Sequence, residues 1–302
     1  MNVHFFLVLL FASWFASTSL ATQLPFNKKY DEALLQKVVN LPMPELLKEI
    51  TKTTDIVIIP TRTPLDKELP RTALEDSPVV KVAKASLPKK VRETLGDIRG
   101  NNALMIEKGD PDVKVSRNTI YTNEFIDGYT LIHEYMHSIM NMNNKVPTSA
   151  SNLDTYRAFN KAAFLYSKIF ANRALLNDSH WRNDMISALE DHCEALIRET
   201  AATNVEEVLI ETVLRREIKT TSPHYNEYRV ANGKSYSDYS LATIFNNFNT
   251  SIDKVDFITN EIKHLESISE ETRKADLARI AAMKEKYLKF RDEVVKLQEF
   301  AK

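Results

Sequence analysis

His133-Glu134-Tyr135-Met136-His137 reads H-E-x-x-H. On a helix, positions four apart lie one above the other on the same face, so the two imidazoles can hold one metal ion. Glu134 then stands beside them, within reach of a water on that ion. This is the donor set of catalytic zinc: the ion lowers the pKa of its water, and the glutamate accepts the proton. Catalytic zinc usually takes three protein ligands plus water, so one more His, Asp or Glu must come from elsewhere. Neither His nor Asp occurs in the stretch Ser138–Pro147, which excludes the longer H-E-x-x-H-x-x-G-x-x-H pattern. A glutamate on a later helix is the remaining common solution.

The best candidate is Thr203-Asn204-Val205-Glu206-Glu207-Val208-Leu209-Ile210-Glu211. Glu207 and Glu211 are four apart and share a helical face. Glu207 could bind zinc, and Glu211 could accept a hydrogen bond from a ligating histidine. A capping box of Asn204 with Glu207 would employ the same glutamate at a helix start. Thr203 with Glu206 makes that box one residue earlier and leaves Glu207 free. Glu206, Glu194 and His192 are the rivals. The last two belong to Glu190-Asp191-His192-Cys193-Glu194, which also reads as a solvated helix face.

H-E-x-x-H followed by N-x-x-E-x-x-x-E resembles the lethal-factor-type gluzincins, which include the anthrax lethal factor catalytic domain, secreted Pro-Pro endopeptidases and, more loosely, MtfA-like peptidases. The resemblance covers about residues 56–216. It implies His133 and His137 as the first two zinc ligands, Glu134 as general base and Glu207 as third ligand, with Asn204 and Glu211 in support. It also implies a zincin-like fold, a Zn2+ cofactor, and a protein or peptide substrate bound in extended form. The stretch from His137 to Glu207 is longer than in close members, as if a helix were inserted. The family's oxyanion-stabilising tyrosine, just before the third ligand, has no equivalent, since Thr200 stands there. That role could pass to His224, Tyr225, Tyr228, Tyr236 or Tyr239. Without such a donor, the alternative is a catalytically silent zincin fold acting as a secreted binding protein. A helical interaction protein with a chance H-E-x-x-H is the other alternative.

The elements that must position these residues follow from periodicity. Ile132, Met136, Ile139 and Met140 form an apolar stripe that predicts a helix over 129–141, opened by Asp127-Gly128 and closed by residues 141–145. Upstream, short helices are expected at 30–40 and 44–51, strands at 55–60, 103–107 and 118–123, and a helix at 87–98 opening at Pro88. Strands leading into an active-site helix suit a zincin, with 118–123 as the expected edge that pairs with substrate. Downstream, helices are expected at 154–176, 181–200, 203–219 and 239–248, with a polar loop at 220–238. Beyond residue 252, Leu277, Ile280, Met283, Tyr287, Phe290, Val294, Leu297 and Ala301 make a heptad-like seam. The seam suits a docked helix or a hairpin with 252–269, or else self-association through 277–301. The expected fold class is therefore α+β and mainly helical: a zincin-like domain with a small mixed sheet before the active-site helix and a helical C-terminal half.

Composition sets the outer bounds. Residues 1–21 resemble a secretory signal, with an apolar run over 5–16 and small residues before a cut after Ala21. The expected organisation is signal peptide 1–21, metallopeptidase domain 22–250 and helical segment 251–302, with the product secreted or periplasmic, as in bacteria. No later segment is apolar enough to span a bilayer. A net charge of −1 argues against a nucleic-acid partner. Cys193 is the single cysteine, so no intramolecular disulfide can form. Scarce glycine, 5 residues in all, favours helix.

Overall fold

The computed structural model describes residues 21–83, 87–89, 91–92, 103–110, 113–140, 152–219, 221–224 and 236–302. The expected signal segment up to residue 20, most of the helix expected at 87–98, the helix stop at 141–145 and most of the 220–238 loop lie outside these residues. The chain is mainly helical with a small mixed sheet.

The chain enters as a hairpin of β1 (Ala21–Leu24) and β2 (Lys28–Asp31), which the sequence pattern does not announce. Its turn puts Phe26 and Asn27 in the left-handed region, at φ 61° and 56°. Phe26 is held there by its ring against Phe290, 6.1 Å between centroids, and by its N–H donated to Glu293. Helices α1 (Glu32–Val38) and α2 (Met43–Ile50) follow. Leu46, Leu47 and Ile50 fall on one buried face of α2.

The main sheet contains β3 (Asp55–Ile58), β4 (Lys81–Val82), β5 (Ala103–Ile106) and β6 (Thr119–Thr122) in the order β4-β3-β6-β5. Strand β3 runs parallel to β4 and β6, and β5 runs antiparallel to β6. The edge expected at 118–123 is therefore wrong: β6 is paired on both sides, and β5 is the edge. The cause is the connection. The link between β5 and β6 includes Gly109, at φ +103°, and returns the chain antiparallel, while β3 takes the other side of β6. Ala103 and Met105 pack toward the main core, and Leu104 and Ile106 toward a small second cluster with Val91 and Val113.

The H-E-x-x-H segment lies on α3 (Gly128–Ile139). The helical half comprises α4 (Asn152–Ala171), α5 (Ser179–Ala195), a π turn (Leu196–Ala201), α6 (Ala202–Glu217), α7 (Tyr236–Lys263) and α8 (Glu270–Ala301). Helix α7 runs unbroken through residue 250, so the domain boundary drawn there falls inside one helix. The α8 seam packs within the chain, with Ile280, Met283, Tyr287, Val294 and Leu297 buried against α7 and α5. Buried residues from Leu24 to Leu297 belong to one core cluster. Among the described residues, no helix is long and apolar enough to cross a membrane.

Candidate metal centre

Helix α3 starts where Asp127 caps it, accepting a hydrogen bond from Thr130 N–H at 2.6 Å. Leu131, Ile132, Tyr135 and Met136 are buried, which turns His133 and His137 toward α6. The link from α5 to α6 is a π turn with no side-chain cap. Neither capping box expected around Asn204 exists, because no helix begins there. Glu206 and Glu207 are released from the backbone and reach the histidines instead.

His133 Nε2 lies 2.9 Å from one Glu207 oxygen, and His137 Nε2 lies 3.4 Å from the other. One donor atom from each of His133, His137 and Glu207 falls within 4.8 Å of the others. Two imidazole nitrogens and a carboxylate oxygen, converging at that spacing, fit a divalent ion of borderline softness. The opposite ring nitrogens are also engaged. His133 Nδ1 meets Glu211 at 3.1 Å, and His137 Nδ1 meets Glu206 at 2.6 Å. Each imidazole thus has a carboxylate behind it that fixes the tautomer exposing Nε2. The Tyr129 hydroxyl donates to the second oxygen of Glu211.

Electrostatics follow from this packing. Burial opposes a charge on His133, but its bonds to Glu207 and Glu211 outweigh that and hold its pKa well above the ordinary value. Burial likewise opposes a charge on His137, yet Glu206 and Glu207 lift it to about 10. Burial disfavours the Glu207 carboxylate, but the two imidazoles hold its pKa well below the usual range. Protons on the histidines balance the acids where a metal ion would. Glu134 is 9% exposed. Burial raises its pKa, the two imidazoles pull it down, Glu207 raises it further, and Met105 N–H donates to it. A carboxylate with raised pKa beside a metal-binding trio is suited to proton transfer.

Other expected residues sit elsewhere. His224 is buried with its ring against Gly128, its Nε2 3.0 Å from the Leu41 carbonyl and its N–H donated to Ser222. A side chain at residue 128 would collide with that imidazole, so glycine there lets the start of α3 dock. His224 thus belongs to the helix start, and the structure does not bring it to the trio. Tyr225 and Tyr228 lie outside the described residues. Asn204 is half-buried on α6, and among the described residues its side chain is not joined to the trio by a hydrogen bond. Of the rival ligands, His192 is packed against Phe159 and bonded to Tyr287, and Glu194 pairs with Lys286.

Sequence reasoning missed Tyr129, Met105, and Glu206 as the partner of His137. Tyr129 precedes His133 by four and could have been found from that spacing. The other two depend on contacts between elements distant in sequence. Comparison with family models, with curated proteins and with solved structures finds no match to this chain.

Proposed function

We propose that the protein is an exported zinc-dependent endopeptidase of gluzincin type. The observation that carries this reading is the convergence of His133 Nε2, His137 Nε2 and the Glu207 carboxylate, with Glu134 buried alongside. Zinc in such a set supplies Lewis acidity and a water of lowered pKa. Glu134, anchored by Met105 N–H, takes the proton of the attacking water and returns it to the leaving amine. Glu206 and Glu211 hold the imidazoles so that both Nε2 atoms face inward. The outer edge of β5, beside α3, offers main-chain groups for an extended peptide. The apolar segment at 5–16 supports an extracytoplasmic site of action.

Metal content and peptide-library cleavage together test the proposal. Purified protein is expected to carry stoichiometric zinc and to cut the library. Glu134→Ala is expected to keep the zinc and lose about 10²–10⁴ in rate. Protein without stoichiometric metal would leave only a helical interaction role. Zinc without cleavage would indicate a silent binding fold. Equal cleavage by wild type and Glu134→Ala would trace the activity to a contaminant.

A further inference from the structure

Lys28 is the first residue of β2, and it is 4% exposed. Its Nζ is buried without a hydrogen-bond partner. An ammonium withdrawn from water needs compensating charge or bonds. Burial lowers its proton affinity, and the two charges that raise it are Glu206 and Glu107. Glu206 bonds His137 Nδ1 through Oε1. Glu107 follows β5 directly, and strand alternation gives it the face of Met105, which packs toward the main core. Glu107 in turn feels Glu206, His137 and Lys28. Strand β2 also packs on α3. The hairpin, the edge strand and α6 thus each send one charged group to the region behind His137.

The two histidines are supported differently. Behind His133, Glu211 is fixed at both oxygens, by His133 and by Tyr129. Behind His137, Glu206 is fixed by His137 through one oxygen, and its charge acts on the buried Lys28 ammonium without a direct ion pair. We propose that Lys28 is a positioning residue of the metal centre, its charge holding Glu206 so that His137 keeps Nε2 toward Glu207. The charges of Glu206 and Glu107 act on the ammonium from within the protein, so it does not call for an anionic substrate. The N-terminal hairpin then becomes part of the site. The inference deepens the metallopeptidase reading and rests on it.

Zinc affinity by competition with a chromophoric chelator tests this, using the full chain. Lys28→Met is expected to weaken zinc binding about tenfold. Lys28→Arg, which keeps the charge, is expected to stay within about threefold of wild type. In a Glu206→Gln background, Lys28→Met is expected to have no further effect. Equal losses in both backgrounds would reduce Lys28 to a general packing role and overturn the proposal. Tighter binding by Lys28→Met would overturn it too, since the lysine would then only repel the ion. Should Lys28→Met fail to fold, Glu107→Gln decides. It leaves Lys28 to Glu206 and is expected to keep affinity within about threefold, and a tenfold loss refutes the assignment. Wild type without zinc refutes the metal centre itself. Wild type and Lys28→Met binding zinc equally refute only the role of Lys28.

Discussion

The glutamates around His133 and His137 share one side-chain chemistry and take different roles by position alone. Glu207 faces both Nε2 atoms, Glu206 and Glu211 back the Nδ1 atoms, and Glu134 is turned to the Met105 N–H. Helical spacing explains this assignment. Glu207 and Glu211 are one turn apart on α6, as His133 and His137 are on α3, while Glu206 is offset from Glu207 by about 100° around the axis. Tyr129 extends the pattern, since its hydroxyl is bonded to the oxygen of Glu211 that His133 does not use. Tyr129→Phe is therefore expected to weaken zinc binding about tenfold at little cost to folding. Unchanged affinity in a chelator competition would exclude that bond from the site. The raised histidine pKa values give a second expectation. With His137 lifted to about 10 and His133 raised by Glu207 and Glu211, the carboxylates favour the protonated form of both rings in the metal-free protein. Zinc must displace those protons, so binding should release about two per ion at pH 7 and strengthen as pH rises toward 10. Calorimetry in buffers of different ionisation enthalpy reads that number directly, and release near zero would mean the histidines are not the ligands.

At the level of elements, the edge strand matters most. Met105 N–H points away from β6 and toward Glu134, so proline there removes a donor without breaking the sheet ladder. Met105→Pro is expected to keep zinc and lower peptidase activity at least about tenfold, within the contribution of a positioned general base. Full activity would mean that β5 neither anchors Glu134 nor carries substrate. Local pattern was enough to find β3, β5 and β6, and it located α3, because apolar alternation and helical stripes are properties of neighbouring residues. It was not enough to order the strands, since whether β6 or β5 lies at the edge depends on the long-range pairing with β3. The hairpin at 21–31 was invisible because non-glycine residues make its left-handed turn, stabilised by Phe290 and Glu293 from the far end of the chain. Within the centre, H-E-x-x-H and the Glu207–Glu211 spacing were legible as local helical geometry. The capping signature at Thr203 and Glu206 misled for a physical reason. The same residues can cap a helix start or, where a π turn carries the chain straight through, reach across to a neighbouring helix. Such turns recur at functional sites, and here one lies just before Glu206 and Glu207.

Across the whole molecule, α3 and α6 are embedded in a frame whose stability responds to pH in two opposite ways. Helices α5 and α8 are joined by the buried Arg182–Asp276 pair at 2.7 Å and by His192 Nδ1, 2.8 Å from the Tyr287 hydroxyl. Burial, with Lys254 nearby, lowers the pKa of His192 to about 4. A charge on the buried ring is opposed by the loss of water and by Lys254. Between pH 6.5 and 4 the unfolded chain then binds more protons than the folded one. Stability present above pH 6.5 is lost as pH falls through that window, by at most about 3 kcal/mol. His137 acts with the opposite sign. Its pKa is raised to about 10, so its contribution in metal-free protein is full below pH 6.5 and is lost as pH rises through 10. Metal-free protein should therefore melt at its highest temperature near pH 6.5, with separate residues responsible for each flank. Glu75, lowered from 4.5 to about 2 by its bonds to Arg62, acts mostly below the range of His192. Melting curves from pH 4 to 10 test the division. His192→Gln is expected to flatten the acid flank alone, and saturating zinc to lift the alkaline flank alone, because the ion replaces the protons that His133 and His137 give up. If His192→Gln leaves the acid flank as steep as before, the α5–α8 junction is not what acid loosens, and the frame around α3 and α6 fails elsewhere.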